Sequence, residues 1–231
     1  MEVGIIAPVS LLSKCCKTDI QYVIPSLLLS NKDYRAFYLK RADQDDLILL
    51  DSRKISWKRE PEKLEIIKEA LELLSQRTTP LLILPSFMFD IKKTLRVTLE
   101  YLEELKPKSV AGCLEGTNKE EVDQCSKEFR KMGVKTLAIP FHLYPFYKEA
   151  ESNGPVLYLD NNLRIEELKG IEGTLVTSLP VRLGLKGRLM SDYLPCPPSL
   201  SFSEDGTVFY KVIDRNIRET IEYYENEQWR Y

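Results

Sequence analysis

Residues 81–116 read LLILPSFMFDIKKTLRVTLEYLEELKPKSVAGCLEG, and this stretch decides the fold. It opens on a short run that is apolar on both faces, Leu81-Leu82-Ile83-Leu84, followed by Pro85 and Ser86. A segment of helical period follows over residues 91–105, with Leu95, Leu99, Leu102 and Leu105 on one stripe. Pro107 forbids continuation, and a second short apolar run begins at Val110. Runs of four or five residues with no polar face suit strands covered on both sides, as in a parallel sheet.

The same alternation extends in both directions. Further apolar runs occupy residues 3–7, 22–24, 47–50, 136–139, 156–159 and 174–177. Helical periodicity lies between them at residues 62–74, 120–132 and 162–168, with Gly133 and Gly170 placed as helix C-caps. Asn31 or Ser30 is placed to cap a helix over residues 32–41. Eight strands alternating with helices predict a compact (β/α)8 TIM-like barrel over residues 1–190. An open doubly wound sheet is the alternative, but Ala7-Pro8-Val9-Ser10 stands where a Gly-rich dinucleotide loop would follow the first strand. Residues 191–231 read as a short C-terminal extension packing on the barrel. It begins in the Pro-rich Tyr193-Leu194-Pro195-Cys196-Pro197-Pro198 and closes on a helix over residues 214–229.

Composition narrows the classes. The chain has 231 residues, 43% apolar and 29% charged, which excludes whole-chain disorder and fibrous folds. No apolar run approaches the ~20 residues that cross a bilayer, and no signal peptide is recognisable at the N-terminus. A cytoplasmic protein without membrane contact is expected. Thirty-three basic and 35 acidic side chains leave a net charge of −2, which argues against coating nucleic acid through charge alone. Five scattered cysteines without a CxxC pair, and a single histidine, His142, argue against a disulfide framework or a structural zinc site. No metal and no cofactor are expected.

In such a barrel, ligands bind at the C-terminal ends of the strands. The residues after each run are therefore the candidates: Asp51, Ser52 and Arg53; Pro85, Ser86 and Asp90; Glu115 and Gly116; Phe141 and His142; Asp160; Ser178 and Arg182. Phe87, Phe141 and Tyr144 supply flat surfaces for stacking a base. Each residue has a plainer reading as well. Asp51 and Asp160 suit turn capping, Glu115 a solvated turn, His142 a packed loop, Arg182 an ion pair, and Lys186 with Arg188 a solvated surface.

The segment Val176-Thr177-Ser178-Leu179-Pro180-Val181-Arg182-Leu183-Gly184-Leu185-Lys186-Gly187 resembles tRNA-guanine transglycosylases and their small phage-type DNA-modifying relatives. Leu49-Leu50-Asp51-Ser52 resembles that family's Asp-Ser element, and Leu84-Pro85-Ser86-Phe87-Met88-Phe89-Asp90 its fourth-strand segment. Gly112-Cys113-Leu114-Glu115-Gly116 stands in the place of its Gln-Gly pair. The resemblance implies exchange of a 7-deazaguanine-type base, or other N-glycosidic chemistry, on tRNA or DNA. It implies Asp51 and Glu115 as catalytic groups and Ser52, Ser86, Asp90, Phe87, Phe141 and His142 around the base. Arg182, Lys186 and Arg188 would then contact nucleic acid. The nucleophilic aspartate of that family falls on Val176, which cannot form the covalent link to the sugar, and the family's zinc-binding insertion is absent. Altered or lost activity follows. Two alternatives stand beside this one: a non-catalytic binding or partner subunit, as a homodimer or a heterodimer with a related chain, and an unrelated small barrel enzyme acting on a phosphorylated metabolite.

Overall fold

The computed structural model describes residues 2–7, 9–53, 61–140, 143, 156–160, 174–177 and 218. Among these, eight strands form one sheet: β1 (Glu2–Ile5), β2 (Ile20–Val23), β3 (Leu47–Asp51), β4 (Leu81–Ile83), β5 (Val110–Cys113), β6 (Thr136–Pro140), β7 (Val156–Asp160) and β8 (Thr174–Thr177). Each overlaps one of the eight apolar runs. Their order is β1-β8-β7-β6-β5-β4-β3-β2, and every ladder is parallel. The protein is an α/β fold with a TIM-barrel-like parallel sheet. β1 and β2 end the strand order, yet they lie against one another: a Cβ added to Gly4 would stand 2.9 Å from Cγ2 of Ile20.

The apolar character of both strand faces is explained by two separate clusters. Ile48, Leu50, Leu82, Leu84, Leu137 and Ile139 face outward and pack with helical residues such as Tyr38, Ile67, Leu74 and Phe129. The alternate positions face the opposite side. Ile20, Tyr22, Leu49, Leu81, Ile83, Ala111, Cys113 and Ala138 form a smaller inner cluster there.

The described helices are α1 (Leu12–Cys15), α2 (Pro25–Ser30), α3 (Lys32–Ala42), α4 (Leu64–Ser75), α5 (Ile91–Leu105) and α6 (Lys119–Lys131). Asn31 caps α3, its side chain accepting from the Tyr34 N–H at 3.0 Å. Gly133 follows α6 with φ 82°, the left-handed conformation that ends a helix. On α5 the expected leucines Leu95, Leu102 and Leu105 pack against the core but are only partly buried. Thr94, Thr98 and Tyr101 are buried, while Leu99 is 44% exposed. Polar tethers fix this rotation. The Thr94 hydroxyl lies 2.9 Å from the Phe87 N–H, which it accepts, and the Tyr101 hydroxyl donates to the Glu62 carbonyl at 2.8 Å.

No helix among the described residues is long and apolar enough to cross a membrane. The helices expected at 162–168 and 214–229, the boundary at 190 and the extension 191–231 lie outside the described residues, Arg218 apart.

Candidate functional site

The ends of β2 and β3 bring three polar side chains together. Asp51 is the last residue of β3 and only 4% exposed. Parallel register pairs Tyr22 with Leu49, so the phenol of Tyr22 extends along the inner face toward Asp51. Its hydroxyl donates to Asp51 Oδ2. Arg53 folds back over the same carboxylate. Its backbone N–H donates to Oδ1 at 3.0 Å, Nε lies 2.9 and 2.8 Å from the two oxygens, and Nη2 donates to Oδ2 at 2.6 Å. Nη2 also donates to the Tyr22 hydroxyl at 3.1 Å.

Neighbouring backbone holds this geometry. Arg53 pairs with Pro61 in an antiparallel bridge, and the Glu62 N–H donates to the Ser52 carbonyl at 2.7 Å. The Ser52 N–H donates to the Ile83 carbonyl at 3.1 Å, which carries the β3–β4 ladder one residue past β3.

The electrostatics follow from burial. Burial pushes the Tyr22 phenol well above its ordinary range, and the Asp51 charge pushes it further, against a smaller opposing effect of Arg53. Burial is the largest single effect on Arg53 and works to lower its pKa, but the charges of Asp51 and Tyr22 and the hydrogen bonds to Asp51 together outweigh it, and the guanidinium is held firmly protonated. Both oxygens of Asp51 are thus occupied by donors. A carboxylate held in this way is a strong orienting group. The guanidinium it orients retains Nη1, which has no hydrogen-bond partner among the described residues.

A second cluster spans the ends of β4 and β5. Glu115 stands two residues past β5 and is fully buried, and its Oε2 accepts the Phe89 N–H at 3.2 Å. Phe89 has φ 62°, a left-handed conformation unusual for a bulky residue. The loop carrying it is fixed at both ends. The Asp90 N–H donates to the Phe87 carbonyl at 2.9 Å, and the Asp90 carboxylate caps α5 by accepting the Lys93 N–H at 2.9 Å. The Lys93 ammonium lies 4.0 Å above the Phe87 ring and occupies one of its faces. The hydroxyls of Ser52 and Ser86 are buried, and neither makes a hydrogen bond.

The structure therefore brings Asp51 together with Tyr22 and Arg53, and Glu115 with the loop of Phe87, Phe89 and Asp90. Of these, Tyr22 is the residue that sequence reasoning missed. Its only signal is its place on the inner-facing positions of an apolar run, which becomes readable once the register with β3 is known. Arg53 was a candidate by position, without a role. Phe141, His142, Arg182, Lys186 and Arg188 lie outside the described residues. Asp160 ends β7, and Val176 in β8 pairs with Leu159 and Gly4. Among the described residues no group of three or more His, Cys, Asp or Glu side chains is placed to hold a metal ion.

No protein-family model matches the chain, and no curated protein matches its sequence. Solved structures match in fold. The YdjI aldolase from Escherichia coli K12 aligns with 98% of this chain and 91% of its own, at 12% identity and a TM-score of 0.57. Orotidine 5′-phosphate decarboxylase from Thermotoga maritima aligns with 76% of this chain and 88% of its own, at 14% identity and a TM-score of 0.49. A 3-hexulose-6-phosphate synthase aligns with 94% and 99%, at 10% identity and 0.48. At 12% identity the likeness to the YdjI aldolase is one of fold alone.

These findings correct the transglycosylase resemblance. The fold is similar to that of the YdjI aldolase, an enzyme of another kind, and the match around Leu179-Pro180-Val181-Arg182 carries no family with it. A short motif of common residue types recurs by chance on unrelated barrels. The base-exchange function, its altered or lost variant, and nucleic acid as the partner lose their support together.

Proposed function

We propose that the chain is an enzyme on a closed (β/α)8 barrel that acts on a small anionic metabolite, with Arg53 as the anion anchor. One observation carries the reading: the Arg53 guanidinium is locked by Asp51 and Tyr22 at the strand ends where barrels of this kind bind ligands, with Nη1 left over. An arginine fixed in this way presents its remaining donors to a carboxylate or phosphate with little ordering entropy to lose. Asp51 is then a positioning residue. Glu115, buried two strands further on, is the group available for acid–base work. Barrel closure is supported by the approach of Gly4 to Ile20. The cytoplasm is the compartment that suits buried cysteine thiols such as Cys16 and Cys125.

Calorimetric titration with inorganic phosphate and with acetate tests the anchor. Saturable binding is expected in the unmodified protein and its loss in Arg53→Lys, which keeps the charge and removes the fork. Equal binding by both proteins overturns the reading. A metabolite panel read by mass spectrometry tests the enzyme: one anionic compound is consumed by the unmodified chain and spared by Glu115→Gln.

A further inference from the structure

The loop after β4 carries two unusual features. Phe89 adopts φ 62°, where glycine or asparagine would sit without strain. It is nevertheless 56% exposed, beside Met88 at 42%. A bulky residue is thus held in a strained conformation and is still more than half exposed. Local strain of this kind persists only where surrounding contacts fix it, and it concentrates at ligand clamps.

The contacts that fix it are specific. The buried carboxylate of Glu115 takes the Phe89 N–H, the Asp90 N–H closes a turn on the Phe87 carbonyl, and Thr94 holds the Phe87 N–H from inside α5. The tip therefore stands directly beside Glu115. Strand order places Arg53, Phe89 and Glu115 after three consecutive strands, β3, β4 and β5.

We propose that the Met88–Phe89 tip is the specificity element of the site and receives a planar or aromatic portion of the substrate whose anionic end Arg53 holds. This deepens the anion-anchor reading and rests on it. The substrate class becomes an aromatic or heterocyclic carboxylate or phosphate rather than a short aliphatic one. Ring contact with Phe89 covers apolar surface on both partners, and the polarizable thioether of Met88 adapts to the ring edge. Glu115 fixes the tip through the Phe89 backbone N–H, so the residue that carries the ring is anchored to the proposed acid–base group.

The experiment titrates the full chain with two pairs of probes: inorganic phosphate against phenylphosphate, and acetate against benzoate. The unmodified protein is expected to favour the aromatic member of at least one pair by about tenfold, the scale of one good aromatic contact. Phe89→Gly and Phe89→Asn both suit the left-handed backbone and remove the ring. They are expected to erase that preference while leaving the affinity for the small anion within about twofold. Aromatic preference that is missing in the unmodified protein, or that survives in both variants, overturns the inference and leaves the Arg53 anchor standing. Failure of all four probes to bind overturns the anchor, and the inference falls with it.

Discussion

Arg53 clasps Asp51 from two residues further along its own chain, with Nε 2.9 and 2.8 Å from the two carboxylate oxygens and Nη2 2.6 Å from Oδ2. The pair is local in sequence, but it is positioned by non-local structure. Tyr22 reaches it from β2, and the Ser52 backbone is bound on one side by Ile83 and on the other by Glu62. A buried carboxylate and guanidinium so arranged contribute more to geometry than to net stability, because desolvation cancels much of their attraction. Removing one partner is different, since the other is left charged and buried.

Asp51→Asn is therefore expected to destabilise the fold by about 3 kcal/mol. In a chain of this size that lowers the melting temperature by roughly 6–12 °C. Anion affinity is expected to weaken too, because Arg53 loses its orientation while keeping its charge. Thermal unfolding followed by circular dichroism, with phosphate titration alongside, separates the two effects. An unchanged melting temperature would show that the clasp is not formed in solution.

Alkaline pH offers a second measurement. Burial pushes the Cys16 thiol up to about 12, with Tyr38 and Arg41 opposing, and pushes Cys125 up to about 12 as well. Tyr22 lies well above its ordinary value of 10 for the same leading reason. All three pKa values are raised in the folded chain, so the unfolded chain loses these protons first. Stability is complete below about pH 9 and falls as pH rises through the folded values, by about 1.4 kcal/mol per pH unit for each group titrating only in the unfolded chain. Urea denaturation at pH 8 and pH 10.5 reads this slope. Cys16→Ala is expected to make it shallower, and an identical slope in both proteins would refute the assignment.

Much of the sheet was legible because a strand covered on both sides leaves a short run without a polar face. Residues 47–50, 81–84 and 110–114 show it, and the helix over 91–105 ends where Pro107 demands. The rotation of α5 was not legible. Its buried face is set by Thr94 and Tyr101, whose hydroxyls find backbone partners at Phe87 and Glu62 that no periodicity announces. The helices α1 and α2 were missed since four and six residues carry no period, and their burial through Leu12, Cys15 and Leu28 comes from tertiary contact. Asp51 and Glu115 were legible as strand-end residues. That donors occupy both oxygens of Asp51 was not, because Tyr22 enters from another strand. The transglycosylase reading failed at a different level: short motif fragments were carried over to a chain that no family model matches.

Gly112 tests the packing of β5 against α6. A Cβ there would stand 2.8–3.0 Å from three atoms of the Phe129 ring, which is fully buried. Gly112→Ala is expected to cost about 1–3 kcal/mol through overpacking. The double variant with Phe129→Leu is expected to lose less than the sum of the two single losses, since the shorter side chain makes room. Additive losses in a double-mutant cycle would show that the ring is not what the methyl group meets.

Gly133 makes the complementary case, because its cost is conformational and not steric. It follows α6 with φ 82°, and a Cβ added there would find no atom within 4 Å. Gly133→Ala then loses only the freedom to adopt the left-handed region, about 1 kcal/mol. Asn tolerates that region better, so Gly133→Asn is expected to fall between the two. No change at Phe129 should moderate either loss, in contrast to Gly112→Ala. Chemical denaturation of the three proteins decides it: a ranking of Gly, then Asn, then Ala is expected, and equal stability of all three would mean that α6 ends without the left-handed turn.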